Sequence, residues 1–166
     1  MLNIVKGDIL TSDMQTITIP VNTVGVMGKG LALQFKKQFP VIYLQYRTFC
    51  KEKKLQIGKP MLYKGNDKWY LFFPTKKHWR ERSNIKEIEK GLKWIIDNYK
   101  REGIKSIAIP ALGCGLGQLK WDYMEPIFSK YLSNLNIPVE LYMPLSIKYC
   151  KQANKINKNK YIERLF

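Results

Sequence analysis

Two glycine-rich stretches, each directly after a short apolar run, constrain the fold of this chain more than any other sequence feature. The first stretch, residues 22–30, follows the β-branched run 16–21, and the second, residues 111–117, follows the run 106–110. Nearly continuous apolar runs of this length are typical of buried strands in a parallel sheet. Ligands of such sheets bind at the carboxyl ends of the strands, which is where both stretches are expected.

Strands and helices are predicted to alternate along the rest of the chain. Apolar runs indicate strands, and a 3.6-residue spacing of apolar side chains indicates helices. The predicted strands are 2–5, 68–73 and 138–143, and the predicted helices are 31–38, 41–53, 84–102 and 122–134. The strand 68–73 is expected to end at Pro74. This order predicts an α/β fold with a mixed, mostly parallel sheet.

Capping residues mark the ends of two predicted helices. Asn84 and Glu87 predict a capping box at the start of the helix 84–102, and Gly103 stands where a C-terminal cap belongs. Asp122 and Glu125 are expected to cap the later helix in the same way.

A large excess of positive charge narrows the choice of partner. Lysine and arginine number 29 against 13 acidic residues, which gives a net charge of +16. Such an excess favours a polyanionic partner through counterion release and electrostatic steering. A second explanation is a lysine-rich proteome encoded by an AT-rich genome, since Ile, Asn and Tyr are abundant here too.

The chain lacks several features that would point to other classes of protein. Its 3 cysteines are few and widely spaced, which disfavours a disulfide scaffold and predicts a reducing, cytoplasmic location. A lone histidine makes a metal site unexpected, and no cofactor is expected either. No apolar run is long enough to span a membrane, and the N-terminus does not resemble a signal peptide.

The glycines suggest how the two stretches act. Residues 25, 28 and 30 in the first and 113, 115 and 117 in the second let backbone N–H groups approach a ligand closely. A helix start beyond the first stretch favours phosphate, so the two stretches together are expected to clamp a diphosphate. Tight turns are the alternative for each stretch alone. Neither is a P-loop, and the second departs from the dinucleotide fingerprint because Gln118 occupies its last position.

Four motifs together carry a resemblance to a known family. They are Gly7-Asp8-Ile9, the segment 22–36, Phe73-Pro-Thr-Lys76, and Pro110-Ala-Leu-Gly-Cys-Gly-Leu-Gly-x-Leu-x-Trp121. In this order they resemble the DarG-type macrodomains, antitoxins that remove ADP-ribose from DNA. The resemblance covers about 1–145 and implies a three-layer α/β/α macrodomain there. Residues 146–166 would be a basic C-terminal tail or a terminal helix of the same domain.

The resemblance implies a role for each matching residue. Lys76 would be the catalytic lysine, Asn22 would assist it at the distal ribose, Asp8 would accept a hydrogen bond from the adenine amino group, and Tyr142 would stack on adenine. The implied contacts with ADP-ribose are Asp8, Ile9, Asn22, Val24, Gly25, Val26, Met27, Gly28, Gly30, Thr75, Pro110, Leu112, Gly113, Cys114, Gly115, Leu116, Gly117 and Tyr142.

Simpler explanations exist for the same residues. Asp8 is equally suited to cap a helix that begins at Ile9, and Asn22 to form a turn. A basic run such as the one containing Lys76 is often solvated surface. A nucleophilic role for Cys114 is disfavoured, because His78 is the only candidate partner base in the chain.

A basic, aromatic segment beside Lys76 predicts the substrate. Lys77, Trp79, Arg80 and Arg82 form a mixture suited to single-stranded nucleic acid, unless Trp79 packs in the core. Gly117 stands where related terminal ADP-ribose hydrolases carry an acid, which moves the prediction toward DNA. The expected function is removal of ADP-ribose from thymidine-modified DNA, reversing a toxin. The alternatives are a hydrolase of ADP-ribosylated protein or small ADP-ribose derivatives, and a non-catalytic ADP-ribose reader.

The predicted function implies a ligand, a substrate and a protein partner. ADP-ribose is the expected ligand, ADP-ribosylated single-stranded DNA the expected substrate, and a cognate DNA ADP-ribosyltransferase toxin a further partner, with no role for a membrane. DarG antitoxins usually carry a toxin-binding domain as well, for which 166 residues leave no room. The chain is therefore expected to be either a fragment or a stand-alone enzyme.

Overall fold

A six-stranded sheet forms the centre of the described part of this computed structural model, residues 1–146. In chain order the elements are β1 (Leu2–Val5), a short 3-10 helix (Ile9–Thr11), β2 (Thr16–Asn22), α1 (Gly30–Gln38), α2 (Pro40–Lys51), β3 (Met61–Lys64), β4 (Trp69–Lys76), α3 (Ile85–Glu102), β5 (Ile107–Pro110), α4 (Trp121–Leu132) and β6 (Val139–Tyr142). The predicted tail or terminal helix, 146–166, lies outside the described residues apart from Ser146.

The sheet is mixed but mostly parallel, as predicted. Its strand order is β1-β6-β5-β2-β4-β3, and only β3 runs antiparallel to its neighbour among the described strands. Because the other five strands share one direction, their carboxyl ends meet at one edge of the sheet. The segments that directly follow β1, β2, β4, β5 and β6 therefore all begin at that edge.

Helices cover both faces of the sheet and give the three layers. Side chains of a strand alternate between faces, so β4 and β5 contribute to two separate cores. On one face Phe35 of α1 and Tyr46 of α2 pack against the sheet, and on the other Leu92 of α3 and Phe128 of α4 do so. All four side chains are fully buried.

β4 extends past the predicted end at Pro74, and β3 was not predicted. β3 pairs with β4 only as far as Phe72, so beyond that point β4 has a neighbour on one side alone, β2. A proline without an N–H group is tolerated at such a position, where one side of the strand is unpaired. The prediction that the strand ends at Pro74 is therefore wrong, and β4 continues to Lys76.

The predicted caps Asn84 and Gly103 of α3 are confirmed, but within residues 1–146 the Glu87 carboxylate makes no return bond to Asn84, and the caps predicted for α4 are wrong. Asn84 accepts hydrogen bonds from the N–H groups of the first turn of α3, and Gly103 ends that helix with φ +81°. α4 begins at Trp121 after Lys120, which makes no side-chain capping bond, so Asp122 lies inside the first turn. The buried Trp121 ring fixes this start one residue earlier than the polar pattern indicated. The other predicted boundaries differ by one or two residues.

Candidate functional site

The two glycine-rich loops lie side by side at the carboxyl edge of the sheet. β2 and β5 are parallel neighbours, paired through Thr16 with Ile107 and Ile17 with Ala108. β2 ends at Asn22 and leads into the first loop, 22–30, and β5 ends at Pro110 and leads into the second loop, 111–117. The expectation that both loops follow neighbouring strands is confirmed.

Asn22 organises the first loop from a buried position at the end of β2. Its Oδ1 accepts hydrogen bonds from the backbone N–H groups of Val24 at 3.1 Å and Val26 at 3.3 Å. Its Nδ2 donates to the carbonyl oxygen of Val26 at 2.7 Å, and the residue is 5% exposed. Asn22 is thus a turn-forming residue, with one amide hydrogen that has no partner among residues 1–146.

Tyr46 of α2 holds Asn22 in place by hydrogen bonding, and this contact was not predicted from the sequence. The Tyr46 hydroxyl lies 2.8 Å from the carbonyl oxygen and 2.9 Å from Oδ1 of Asn22, and donates to this pair of oxygens. Burial raises the pKa of Tyr46 above its ordinary range, so the hydroxyl remains a donor at physiological pH. A tyrosine on the buried face of a predicted helix needs a hydrogen-bond partner, and that was the available signal.

Gly25 and Met27 attach the first loop to the protein. Gly25 has φ +87°, a conformation that favours glycine, and a Cβ there would lie 3.8 Å from side-chain atoms of Arg47 and Cys50 on α2. Met27 is 1% exposed and packs in the core, so only its backbone can face a ligand. Both residues hold the loop close to α2.

The outer part of the first loop is open to solvent. Val24 and Val26 are unusually exposed for valine, and Gly28 and Gly30 are exposed as well. Lys29, which precedes α1, makes no side-chain capping bond, so the first N–H groups of α1 lack that kind of partner. An uncapped helix start beside an exposed loop is suited to an anion.

The second loop is anchored at one end by Leu112, which is 1% exposed. Its N–H donates to the carbonyl oxygen of Pro110 at 2.8 Å, and Gly113 follows with φ +77°. Gly115 and Leu116 are exposed at the tip of the loop. The loop thus presents its backbone at the same edge as the first loop, while the side chain of Leu112 belongs to the core.

Ser83 closes the second loop at its far end, and this contact was also missed. Its N–H donates to the carbonyl oxygen of Gly117 at 3.1 Å. A Cβ on Gly117 would lie 2.3 Å from Ser83 Oγ and 2.6 Å from the carbonyl oxygen of Gly113, so no side chain fits there. The space that an acid at position 117 would need is filled by Ser83, whose buried Oγ has no hydrogen-bond partner in residues 1–146.

Cys114 is a thiol with little tendency to ionise. Burial raises its pKa to about 12, and its Sγ lies 3.8 Å from the carbonyl oxygen of Leu112. A nucleophilic cysteine needs a lowered pKa, so the environment agrees with the low expectation for this role.

Lys76 is the register partner of Asn22 on the neighbouring strand. Val21 pairs with Pro74, but Asn22 pairs with Lys76, so Thr75 is an extra residue that forms a bulge. In an unbroken register Asn22 would pair with Thr75, and Lys76 would point to the opposite face. Thr75 is buried, and the bulge aligns Lys76 with the end of β2, where the first loop begins.

Burial and one acidic neighbour set the charge state of Lys76. The residue is half-buried, and its Nζ donates to the carbonyl oxygen of Glu81 at 3.3 Å. Burial lowers the pKa of Lys76, and attraction to the Glu81 carboxylate partly opposes that shift. Desolvation, and not repulsion by the neighbouring cations Lys77 and Arg80, is thus what lowers the pKa of Lys76.

The basic segment after Lys76 is folded against both loops. The carbonyl oxygen of Lys77 accepts from Thr23 N and Oγ1 at 3.0 and 3.1 Å, which ties the segment to the first loop. Trp79 is 45% exposed, with His78 stacked at 5.1 Å and the Arg80 guanidinium 4.5 Å from its ring centre. The alternative in which Trp79 packs in the core is therefore wrong.

The residues predicted at the adenine end lie at and just beyond the ends of two adjacent strands further along the sheet, β6 and β1. Tyr142 ends β6, between Val5 of β1 and Pro110 of β5, and its hydroxyl donates to Glu140 Oε2 at 3.0 Å. Asp8 is exposed, and its Oδ1 accepts from the N–H of Leu10, so it caps the short helix as the simpler explanation predicted. Ile9 is buried, which leaves only its backbone for a ligand.

The described residues contain neither a cluster of metal ligands nor a helix that could span a membrane. Within residues 1–146 no three His, Cys, Asp or Glu side chains are grouped in a way that could hold a metal ion. None of the helices in that range is long and apolar enough to cross a membrane.

Comparison with known proteins was made on both sequence and structure. The Macro domain family model matches residues 19–128. The chain is 50% identical over 163 residues to a DNA ADP-ribosyl transferase-DNA ADP-ribosyl glycohydrolase fusion protein of Thermosipho africanus, covering 87% of this chain and 42% of the relative. It is 38% identical over 150 residues to a DNA ADP-ribosyl glycohydrolase of Thermus aquaticus, with the same coverage of both chains.

One solved structure matches this chain over nearly its own whole length. The macrodomain of Mycobacterium tuberculosis DarG superposes with a TM-score of 0.82 at 38% identity, covering 87% of this chain and 98% of that one. The curated relatives are longer, and the chain spans 42% of their length. With its three-layer fold, its paired glycine loops and these matches, the chain belongs to the Macro domain family.

Proposed function

We propose that this chain is an ADP-ribosyl glycohydrolase that removes ADP-ribose from thymidine in single-stranded DNA and thereby reverses a DNA-modifying toxin. Relatives at 50% and 38% identity carry the name DNA ADP-ribosyl glycohydrolase. The observation that carries the proposal is the pairing of Lys76 with Asn22 beside two glycine loops. An amine at the mouth of an anion-binding cleft suits cleavage of a bound ADP-ribosyl group better than recognition alone.

ADP-ribose would lie across the carboxyl edge of the sheet. The diphosphate would contact the exposed backbone of both loops and the start of α1, where N–H groups favour an anion. The distal ribose would meet the free amide hydrogen of Asn22 and the amine of Lys76. The adenosine would extend toward Asp8 and Tyr142 at the ends of β1 and β6. Buried side chains such as Met27 and Leu112 would support the backbone that makes these contacts.

Lys76 can take part in the reaction in two ways. Cleavage breaks the bond between the base nitrogen and the anomeric carbon, and positive charge develops on the ribose, which the nearby diphosphate helps to stabilise. As an ammonium, Lys76 would protonate the departing base nitrogen while water adds to the anomeric carbon. As a neutral amine, it would add to that carbon while the base leaves with one of the amine protons and the ribose ring opens; water would then hydrolyse the resulting Schiff base, which frees ADP-ribose and regenerates the amine. Because burial lowers the Lys76 pKa, the neutral form is more accessible than for an exposed lysine.

The segment after Lys76 supports DNA as the substrate. Trp79 offers an exposed ring for base stacking, and Lys77, Arg80 and Arg82 are exposed cations suited to phosphate. Ser83 leaves no room for an acid at position 117, which disfavours efficient release from protein carboxylates by the route of the acid-containing hydrolases.

A direct comparison of substrates tests the proposal. The protein is incubated with an ADP-ribosylated thymidine oligonucleotide and, separately, with an auto-modified ADP-ribosyltransferase, and free ADP-ribose is measured. We expect release from the oligonucleotide only. Release from the modified protein alone would identify a protein hydrolase, and binding of ADP-ribose without release from either substrate would identify a reader.

A toxin partner and a cellular location complete the proposal. The Thermosipho africanus relative is named as a fusion of a transferase with a glycohydrolase. We infer that the substrate of this chain is produced by a cognate DNA ADP-ribosyltransferase. The cytoplasmic location suggested by the cysteine content stays a prediction.

A further inference from the structure

A groove separates the outer face of the first loop from α2, on the side of the loop that faces away from the second loop. It has a volume of about 530 Å³. Thr23 and Gly25 line it from the loop, and Arg47, Thr48 and Lys51 line it from α2. The roles proposed above for ADP-ribose use none of these three α2 side chains.

The charged side chains of this groove are all positive. Arg47 and Lys51 are exposed, and neither has an ion-pair or hydrogen-bond partner within residues 1–146. The acid nearest in sequence, Glu52, pairs instead with Lys54 at 2.6 Å. Two unpaired cations in a concave surface attract a polyanion more strongly than cations scattered over a convex one.

The spacing of the two cations suits a chain of phosphates. Arg47 and Lys51 are four residues apart on α2, so they lie on the same helix face about 6 Å apart along its axis. Consecutive phosphates of an extended single strand are separated by a similar distance. The arginine stem also packs beside Gly25, where the distance from a Cβ to its Cγ would be 3.8 Å, which helps to hold the guanidinium at the groove.

Thr23 connects this groove to the position of the reaction. Both its N–H and its hydroxyl donate to the carbonyl oxygen of Lys77, the residue after Lys76. The groove therefore begins at the residue after Asn22, which ends β2. Thr23 also links it to Lys77, the residue that follows β4. A single strand of DNA whose modified nucleotide lies at Lys76 would have the groove on one side and Trp79 on the other.

From these observations, and resting on the proposed function, we propose that the groove between the first loop and α2 binds the single-stranded DNA that flanks the modified thymidine, with Arg47 and Lys51 as phosphate ligands. The groove reads no base, so it adds affinity for any sequence around the modified nucleotide.

The test compares two substrates that differ only in flanking phosphates. One is ADP-ribosylated thymidine nucleoside, and the other is a single-stranded oligonucleotide with the same modified thymidine at its centre. In the double variant Arg47→Ala, Lys51→Ala, we expect kcat/KM on the oligonucleotide to fall roughly tenfold. The slope of log kcat/KM against log salt concentration should decrease in magnitude by about 0.7 for each lost phosphate contact. On the nucleoside the change should be less than twofold.

A charge-matched control removes two exposed cations at the opposite edge of the sheet, Lys100 and Lys105. They lie at the end of α3 and directly before β5. The variant Lys100→Ala, Lys105→Ala should keep the salt slope and the preference of the wild type for the oligonucleotide. Equal losses in the two double variants would show that only net charge matters and would overturn the proposal.

The remaining outcomes also decide between the two proposals. An Arg47, Lys51 double variant as active as wild type on the oligonucleotide overturns the groove assignment and leaves the proposed function intact. Wild-type protein that releases ADP-ribose from neither DNA substrate overturns the proposed function itself. A loss that extends to an ADP-ribosylated protein substrate would mean that the groove binds an acidic polypeptide, which also overturns the assignment to DNA.

Discussion

Lys76 pairs with Asn22 across two parallel strands because Thr75 is an extra residue in β4. The bulge shifts the register by one residue, so that Lys76 rather than Thr75 aligns with Asn22, where the first loop begins. Thr75, which lies next to the proposed catalytic lysine, is buried like residues 70–74 that precede it in β4. The candidate site thus depends on a local irregularity in an otherwise regular sheet.

Replacement of Lys76 tests its proposed catalytic role. We expect Lys76→Ala to lower the rate of ADP-ribose release by about 10²- to 10⁴-fold, the usual contribution of a proton-transfer group. Affinity for free ADP-ribose, measured by calorimetry, should change only a few-fold, because the loops that bind the diphosphate are untouched. Lys76→Arg keeps the charge but cannot deprotonate, so full activity in that variant would exclude the neutral amine as nucleophile.

The pH dependence of release should report the lowered pKa of Lys76. Release will rise with pH through that pKa if the neutral amine attacks the sugar, and will fall over the same range if the ammonium donates a proton. In either case the inflection should lie below the ordinary range of a lysine. Glu81→Gln removes the attraction that opposes the shift and should move the inflection to lower pH, and an unmoved inflection would contradict this account.

The same shift has a consequence for stability. The folded chain disfavours the charged form of Lys76, so this group reduces the free energy of unfolding below its folded pKa. The reduction disappears as pH rises toward the pKa of the unfolded chain. Chemical denaturation of wild type and Lys76→Met across alkaline pH should show this difference narrowing as pH increases.

Tyr46→Phe tests how Asn22 is held. Loss of the hydroxyl leaves two buried oxygens of Asn22 without this donor and should lower the free energy of unfolding by about 1–3 kcal/mol. Because Asn22 shapes the first loop, ADP-ribose affinity should fall as well. Tyr131→Phe removes a hydroxyl that donates to Glu89 on α3 and serves as the control. An unchanged ADP-ribose affinity in Tyr46→Phe would show that Asn22 needs no such support.

Gly117→Ala tests the packing of the second loop against Ser83. The added methyl group would overlap Ser83 Oγ and the Gly113 carbonyl, and relief of this overlap should cost about 1–3 kcal/mol of stability. Gly115→Ala is the matched control, since a Cβ there meets nothing within 4 Å. Thermal unfolding should separate the two variants. Equal stability would mean that the loop has room for a side chain at position 117.

Trp79→Ala tests the stacking surface proposed for DNA. The ring is 45% exposed, so its loss should leave thermal stability nearly unchanged. Stacking of one base on an aromatic ring contributes about 1–3 kcal/mol, which predicts a roughly 5- to 150-fold loss of affinity for the modified oligonucleotide. Trp79→Phe should retain part of the affinity. A strong loss of thermal stability would indicate that the ring has a structural role instead.

Local patterns were sufficient to predict most of the fold and the location of the site. The alternation of apolar runs with helical spacing indicated the parallel sheet, and the glycines after β2 and β5 marked the edge at which the candidate site lies. The capping residues Asn84 and Gly103 are local signals too, and they predicted the ends of α3. Such features depend on residues close together in the chain, so they can be read without knowledge of the tertiary structure.

Contacts between residues far apart in the chain were decided only by the tertiary structure. The bulge at Thr75 is a property of the pairing of β4 with β2, and Tyr46 reaches Asn22 only because α2 packs beneath the first loop. Ser83 fills the space beside Gly117 for the same kind of reason. The sequence by itself determined that two glycine loops and a lysine motif would meet at one edge of a sheet. Packing decided the face on which Lys76 lies, the contacts that hold Asn22 and the absence of room for a side chain at position 117. All three depend on distances between elements that no local pattern encodes.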